Sequence, residues 1–292
     1  MSAYYEQIYV IGRGHTPLAC ALHLLELGTH PILLEDVEEH LSASITSKRP
    51  SALQHAPLSA LDALRKTRNR TLVLSVNNIR LFKKETLANE NVDIFNYHNA
   101  LLPYHRGVNA EAWSIFHEDP LTGVTWHKVD AGIDTGRIAA QKEIALDDEI
   151  TSIQLLKRQS QAALQLFKDI VPAILENRIE LTPQPAIPVN SIHYACDRPN
   201  DGVLNPDWPA HRIWAFLRAM DYGKLTPLGI PRIGIDGQCL RWERYCRNTP
   251  DAPEMDGERI IRLKGGITLH NCRPFTPWPT GYGCCTTDFH SP

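Results

Sequence analysis

The chain has 292 residues, 43% hydrophobic and 22% charged, with a formal net charge of −3. That length can bury one large core or two modest ones, and the balance excludes a disordered or fibrous chain. The slight acidity does not point to nucleic acid or a membrane surface, the start MSAYYEQIYV lacks a secretory-signal pattern, and no apolar run reaches transmembrane length.

The first predicted strand covers Ile8 to Ile11 and runs into a turn, Gly12-Arg13-Gly14. A helix follows with Leu18, Ala21, Leu22 and Leu25 on one face and Gly28 as its stop, and PILLED is the second strand. Such a β-α-β start predicts a parallel sheet with a right-handed crossover. The turn invites a dinucleotide reading, and Glu35-Asp36 at the end of the second strand suits it. Pro17 stands where the third glycine belongs, so a tight strand-to-helix turn is the simpler reading.

Residues 40 to 70 are polar, with a helical pattern around LSALDALRK. TLVLSV (71 to 76) is a buried strand, RLFKKETLA carries a short helix, and VDIFN is the next strand. EAWSIFHE is helical, and the alternating, β-rich GVTWHKV (123 to 129) is a strand. Residues 151 to 178 form the clearest helix, with Thr151 and Gln154 as a capping box. Its apolar stripe is Ile153, Leu156, Ala163, Leu164, Phe167, Ile170 and Ile174, and Pro172 predicts a kink.

The proline-rich TPQPAIPVN (182 to 190) is the predicted boundary. It separates a main domain over 1–181 from a small subdomain over 182–276 and a tail over 277–292. HRIWAFLRAM is an amphipathic helix. GIPRIGI, CLRWERY, RIIRLK and ITLHNC are short strands, with turns at Asp236-Gly237 and Gly265-Gly266. Trp208, Trp214, Tyr222 and Trp242 offer stacking surfaces, although core packing is the plainer role for each. The seven cysteines have no metal-ligand spacing, and an odd count suits reduced thiols in a cytosol.

Two stretches carry the chemistry. FNYHNALLPYHRG (95 to 107) and VDAGIDTG (129 to 136) each begin where a predicted strand ends. In an open parallel sheet the carboxyl ends of the strands line the ligand crevice, so Asn96, His98 and Asp134 can converge there. An Asn amide donates to a developing oxyanion, a His donates to the same oxygen or moves a proton, and a carboxylate orients the His. This trio needs no Ser or Cys nucleophile. It suits direct acyl transfer between two bound substrates, or hydrolysis, with loop capping as the plainer alternative.

The segment N-Y-H-N-A-L-L-P-Y-H-R-G resembles the signature N-x-H-P-S-L-L-P-x-Y-R-G of folate-dependent formyltransferases. T-G-V-T-W-H-K-V-D-A-G-I-D-T-G resembles that family's T-G-V-T-x-H-x-x-D-x-G-x-D-T-G at a matching separation. DGVLNPDWPAHRIWAFLRAM is similar, more distantly, to the segment that follows the catalytic domain in the tRNA and sugar enzymes. The resemblance implies an α/β, Rossmann-like formyltransferase domain with a mainly parallel sheet, plus a small mostly β C-terminal module. It implies 10-formyltetrahydrofolate as donor, no metal, and catalytic roles for Asn96, His98 and Asp134. The implied folate pocket is built mainly from backbone: Asn78, Ile79, Arg80, Leu81 and Phe82, with Val129, Asp130, Ala131, Gly132 and Ile133. Arg106 and Gly107 match the loop that shapes the crevice, and Asn99 is placed with them toward the acceptor.

The chain leaves the pattern at Asn99-Ala100, where the family has Pro-Ser, and at His105, where it has Tyr. Both departures alter the wall near the acceptor. A small-molecule primary amine is the favoured acceptor: an amino sugar, an amino acid or a natural-product amine. The shortened C-terminal module and the acidic balance disfavour tRNA. The alternatives are a methionyl-tRNA formyltransferase, a formyltetrahydrofolate hydrolase, or a nucleotide-binding module without catalysis. Such hydrolases normally carry an N-terminal regulatory domain, for which residues 1 to 70 leave no room. A cytoplasmic location is expected, and the C-terminal module offers a surface for a homodimer.

Overall fold

The computed structural model describes residues 4–35, 52–78, 80–186, 192–248 and 259–275. Ile79, Asp36 and the tail with Cys284-Cys285 lie outside the described residues. The chain forms two compact units. The first comprises Met1–Gly107, Thr122–Ala145 and Lys157–Ile192; the second comprises Val108–Leu121, Leu146–Leu156 and His193–Pro292. The predicted cut after residue 181 falls inside the last segment of the first unit.

The first unit is built on a seven-stranded sheet. Its strands are β1 (Gln7–Gly12), β2 (Ile32–Glu35), β3 (Gln54–Ala56), β4 (Thr71–Val76), β5 (Val92–His98), β7 (Leu121–Lys128) and β8 (Ile138–Ala145). A two-residue strand, β6 (Arg106–Gly107), lies outside this sheet. The order is β3-β2-β1-β4-β5-β7-β8. The pairs from β3 to β5 are parallel, and β7 runs antiparallel to β5. Every residue of β4 is buried, as the near-continuous apolar run of a central parallel strand requires. Thr71 at its start and Ser75 near its end are the polar members.

The helices α1 (His15–Glu26), α2 (Lys84–Leu87) and α4 (Ser152–Leu175) accompany these strands, and α3 (Ala110–Phe116) belongs to the second unit. Ala163, Phe167, Ile170, Val171 and Ile174 of α4 join Val10, Leu72, Leu74 and Trp126 in one core. The backbone N–H of Thr151 meets Gln154 Oε1 at 3.0 Å, the Gln half of the expected capping box. Pro172 sits within the continuous helix.

Several elements differ from the sequence reading. LSALDALRK forms a 3-10 helix, and the helix expected over RLFKKETLA is limited to α2. The strands β3 and β8 carry no pattern that announces them. β5 continues past VDIF-Asn96 to His98, because β7 pairs with it there: Asn96 faces His127 and His98 faces Thr125. A ladder partner extends the strand beyond the apolar run that nucleates it.

Gly12 has a structural cause. Its φ is 151°, and a methyl group there would lie 1.5 Å from the Val76 carbonyl oxygen. Close approach of β1 to β4 therefore demands glycine without any pyrophosphate. Gly12→Ala should destabilise the first unit by about 1–3 kcal/mol, read as a lower urea midpoint. An unchanged midpoint would show that the strand ends separate freely.

The second unit holds α3, α5 (Ala210–Ala219) and two small sheets. One has the strands Val203–Leu204, Arg232–Ile235, Gln238–Arg241 and Arg273–Pro274; the other has Arg244–Arg247, Ile261–Arg262 and Ile267–His270. Asp236 (φ 48°) and Gly237 (φ 74°) make the two-residue turn of a hairpin, as their sequence predicts. Trp214 is buried and donates to the Asp148 carbonyl at 2.7 Å; Tyr222 is buried and donates to Glu111 Oε1 at 2.7 Å. These two aromatics are core residues. Trp208 packs beside Phe116 and Phe216. Among the described residues no helix is long and apolar enough to cross a membrane.

Candidate active site

The two motifs meet at the carboxyl end of β5. In the β4–β5 ladder Ser75 lies opposite Asn96, and in the β5–β7 ladder Asn96 lies opposite His127. Directly opposed residues share a face, so Ser75, Asn96 and His127 form a row across three strands. Ser75 Oγ donates to Asn96 Oδ1 at 2.7 Å. That bond fixes the amide: its oxygen is engaged, and its Nδ2 turns toward Asp134 Oδ1 at 3.4 Å and His127 Nε2 at 3.2 Å.

His98 is 5% exposed. Its Nε2 lies 2.8 Å from the His105 carbonyl oxygen, which can only accept, so Nε2 carries a proton and donates. The other ring nitrogen, Nδ1, faces Asp134 Oδ2 at 3.4 Å. Burial pushes the imidazole pKa down, while the Asp134 carboxylate opposes that shift. With the Nε2 proton committed to the His105 carbonyl, the neutral ring presents Nδ1 to Asp134 as a lone pair, and only the imidazolium form carries a proton there.

Asp134 enters from the loop after β7 with φ 50°, a left-handed conformation that Asp tolerates better than most residues. Its Oδ2 accepts the Gly107 N–H at 2.8 Å, and its Oδ1 lies 3.3 Å from His127 Nε2. Burial would raise this carboxyl, but His98, His127 and the Gly107 N–H together hold it below the usual carboxylate range. The loop packs back on β7: a methyl at Gly136 would lie 1.7 Å from the Lys128 carbonyl oxygen.

The other sequence-predicted residues fall as follows. Asn78 donates to Ser75 Oγ at 3.3 Å and to the Arg80 carbonyl at 3.0 Å, and accepts from the Arg80 N–H, which ties this segment to the Asn96 row. Leu81 is exposed, and Phe82 packs with Val92, Ile94 and Val129. A cleft of about 160 Å³ is lined by Leu87, Asn89, Asp93, Ile94, Lys128 and Val129, among others. Of the expected folate-pocket residues, Val129 lines it. Asp130 holds its own loop, accepting from the Gly132 N–H and Thr135 Oγ1. Ala131 and Gly132 are exposed and Ile133 is half-buried. The Asn99 carbonyl accepts from Gln159 at 2.6 Å, and the Ala100 carbonyl from Thr125 at 2.6 Å. Arg106 Nη2 donates to Gln184 Oε1 at 2.9 Å.

Sequence reading passed over four contributors: Ser75, the His105 carbonyl, His127 and Gln184. Ser75 was visible as a polar residue inside an otherwise apolar run. His127 sits inside the second motif, but its place beside Asn96 depends on which strand pairs with β5.

Fold and site define a class: a Rossmann-like α/β domain with a buried Asn-His-Asp cluster at the carboxyl end of a central strand. Within that class the resemblance to the catalytic core of folate-dependent formyltransferases holds, because residues 35–171 match the formyl transferase family model. The chain is 31% identical over 143 residues to the GDP-perosamine N-formyltransferase of Brucella melitensis, covering 49% of this chain and 52% of that protein. It thus matches about half the length of that relative. It is 29% identical over 236 residues to the methionyl-tRNA formyltransferase of Myxococcus xanthus, covering 80% of this chain and 74% of that one. The fold matches the crystal structure of the Helicobacter canadensis N-formyltransferase in complex with folinic acid and dTDP-3-aminofucose. That match has a TM-score of 0.67 at 17% identity, over 91% of this chain and 98% of that one.

Proposed function

We propose that this chain is a folate-dependent N-formyltransferase. It moves a formyl group from 10-formyltetrahydrofolate to a primary amine of a small-molecule acceptor, with an amino sugar the favoured class. The observation that carries this reading is the convergence of Asn96 and His98 on Asp134, each 3.4 Å from one of its carboxylate oxygens. Two relatives support the acceptor class: one is named for a GDP-linked amino sugar, and another was crystallised with a dTDP-linked one.

The donor supplies an electrophilic formyl carbon. Leu87, Ile94 and Val129 give the cleft apolar walls that suit a folate ring, while Asn89, Asp93 and Lys128 in its lining are hydrogen-bonded within the protein. As the acceptor nitrogen attacks, Asn96 Nδ2 donates to the formyl oxygen while Ser75 holds the amide in that orientation. His98 supplies the second donor in its imidazolium form: Nε2 stays on the His105 carbonyl, and the Nδ1 proton, favoured by the Asp134 carboxylate against burial, is the one offered to the oxygen. Asp134 accepts the proton that the attacking nitrogen sheds, directly or through a water, and that proton passes to the folate nitrogen as its bond to the formyl carbon breaks. Arg106, Gly107 and Asn99 lie on the acceptor side, and binding both substrates together supplies much of the remaining acceleration.

The test is incubation with the formyl donor and a panel of amines, read by mass spectrometry. A mass gain on an amino sugar is expected. Asn96→Ala should lower turnover about 100- to 1,000-fold, the loss typical of one oxyanion donor. Formate release without any amine would instead favour a hydrolase, and formylation of aminoacylated tRNA alone would reassign the acceptor.

A further inference from the structure

Gln184 lies in the proline-rich segment whose composition reads as a linker. Its Nε2 donates to the Asp134 carbonyl at 2.8 Å and to the Gly136 carbonyl at 2.7 Å, and its Oε1 accepts from Arg106 Nη2 at 2.9 Å. One side chain thus joins both motif loops. Arg106 follows His105, whose carbonyl takes the His98 Nε2–H, and precedes Gly107, whose N–H binds Asp134. The groups on the two sides of the His98 ring are each within a residue of a Gln184 contact.

Those groups need such a tie. His105 and Asp134 both have φ 50°, and a residue other than glycine persists in that region only where its surroundings hold it. Arg106 Nε is buried without a hydrogen-bond partner among the described residues, which leaves Gln184 as an anchor for the guanidinium. Both N–H bonds and the carbonyl of the Gln184 amide are used, so no part of it is spare.

We infer that Gln184 is a positioning residue that sets the separation of His98 and Asp134 by clamping the backbone of both loops. The kinetic part of this inference rests on the formyl-transfer reading above. The competing role is a plain loop staple, which would alter stability but not the catalytic pair.

Two variants test it. Gln184→Met keeps length and volume and loses all three bonds. Gln184→Glu keeps an acceptor for Arg106 but sets an anion against two carbonyl oxygens. In folded variants kcat should fall roughly 10- to 100-fold with KM for the donor little changed, because the misplacement acts on the reacting geometry. The pH profile of kcat should move as well. With 15N-labelled histidine, the ring signals of His98, assigned with His98→Gln, should shift relative to the wild type. Wild-type kcat in folded Gln184→Met would overturn the inference. So would a loss of kcat with an unmoved pH profile and unshifted His98 signals. Should Gln184→Met fail to fold, Gln184→Glu carries the same comparison. If the wild type transfers no formyl group to any amine, the functional reading falls, and the His98 signals alone decide the role of Gln184.

Discussion

Asp134→Asn should lower formyl-transfer turnover by about 100- to 10,000-fold, the span typical of a positioned acid–base group. The change is isosteric, so the fold should survive. Four groups point at the two carboxylate oxygens: the Gly107 N–H, Asn96 Nδ2, His98 Nδ1 and His127 Nε2. An amide has one acceptor oxygen and one NH2, so at least one side of this cluster meets the wrong polarity. It also lacks the charge that favours a proton on His98 and cannot take a proton from an attacking amine. Steady-state kinetics with product mass spectrometry measures the effect, and turnover within a few-fold of wild type would remove Asp134 from the chemistry. A second readout follows from its titration. The folded carboxyl is held low, so it adds stability above the ordinary carboxylate value, about pH 4, and that part is lost as pH falls through the lower folded value. The stability gap between wild type and Asp134→Asn should therefore narrow on acidification below about pH 4.

Trp126→Ala carries the largest expected effect on stability, about 3–5 kcal/mol. The indole is fully buried in β7, between Tyr97 at 6.0 Å and Phe167 at 5.3 Å, centroid to centroid. Its Nε1 donates to the Ala163 carbonyl at 3.0 Å, which pins α4 to the sheet. Truncation opens a cavity in a core whose neighbours cannot close it, and removes that bond. Urea unfolding should show the loss as a lower midpoint with a similar slope. The effect should also reach the site, because the flanking residues of the same strand, Thr125 and His127, face His98 and Asn96. A loss under about 1 kcal/mol would mean that the core repacks around the gap, against the usual cost of emptying an aromatic site.

How much of this was legible depended on range. The apolar run of β4 announces a buried strand wherever it sits, because burial of both faces allows little else. The Asp236-Gly237 turn is equally local, since few residues accept two successive positive φ angles. The motif residues Asn96, His98 and Asp134 could be named as a trio because strand ends line the crevice of a parallel sheet. The helix expected over RLFKKETLA shrank to one turn, and β8 went unseen. Half-buried short segments obtain their structure from neighbours rather than from their own pattern.

Local periodicity and the two motifs therefore specified the central strands, the candidate trio and the class of fold. They were silent on the partners that aim those residues. Ser75 orients the Asn96 amide only because β4 lies beside β5 in one register, and His127 joins the cluster only because β7 runs antiparallel on the other side. The His105 carbonyl and Gln184 act on His98 and Asp134 from backbone and coil, where no side-chain pattern marks them. Residue type is encoded at each position, but hydrogen-bond geometry between distant segments is set by pairing register and loop closure. Those belong to the folded chain as a whole.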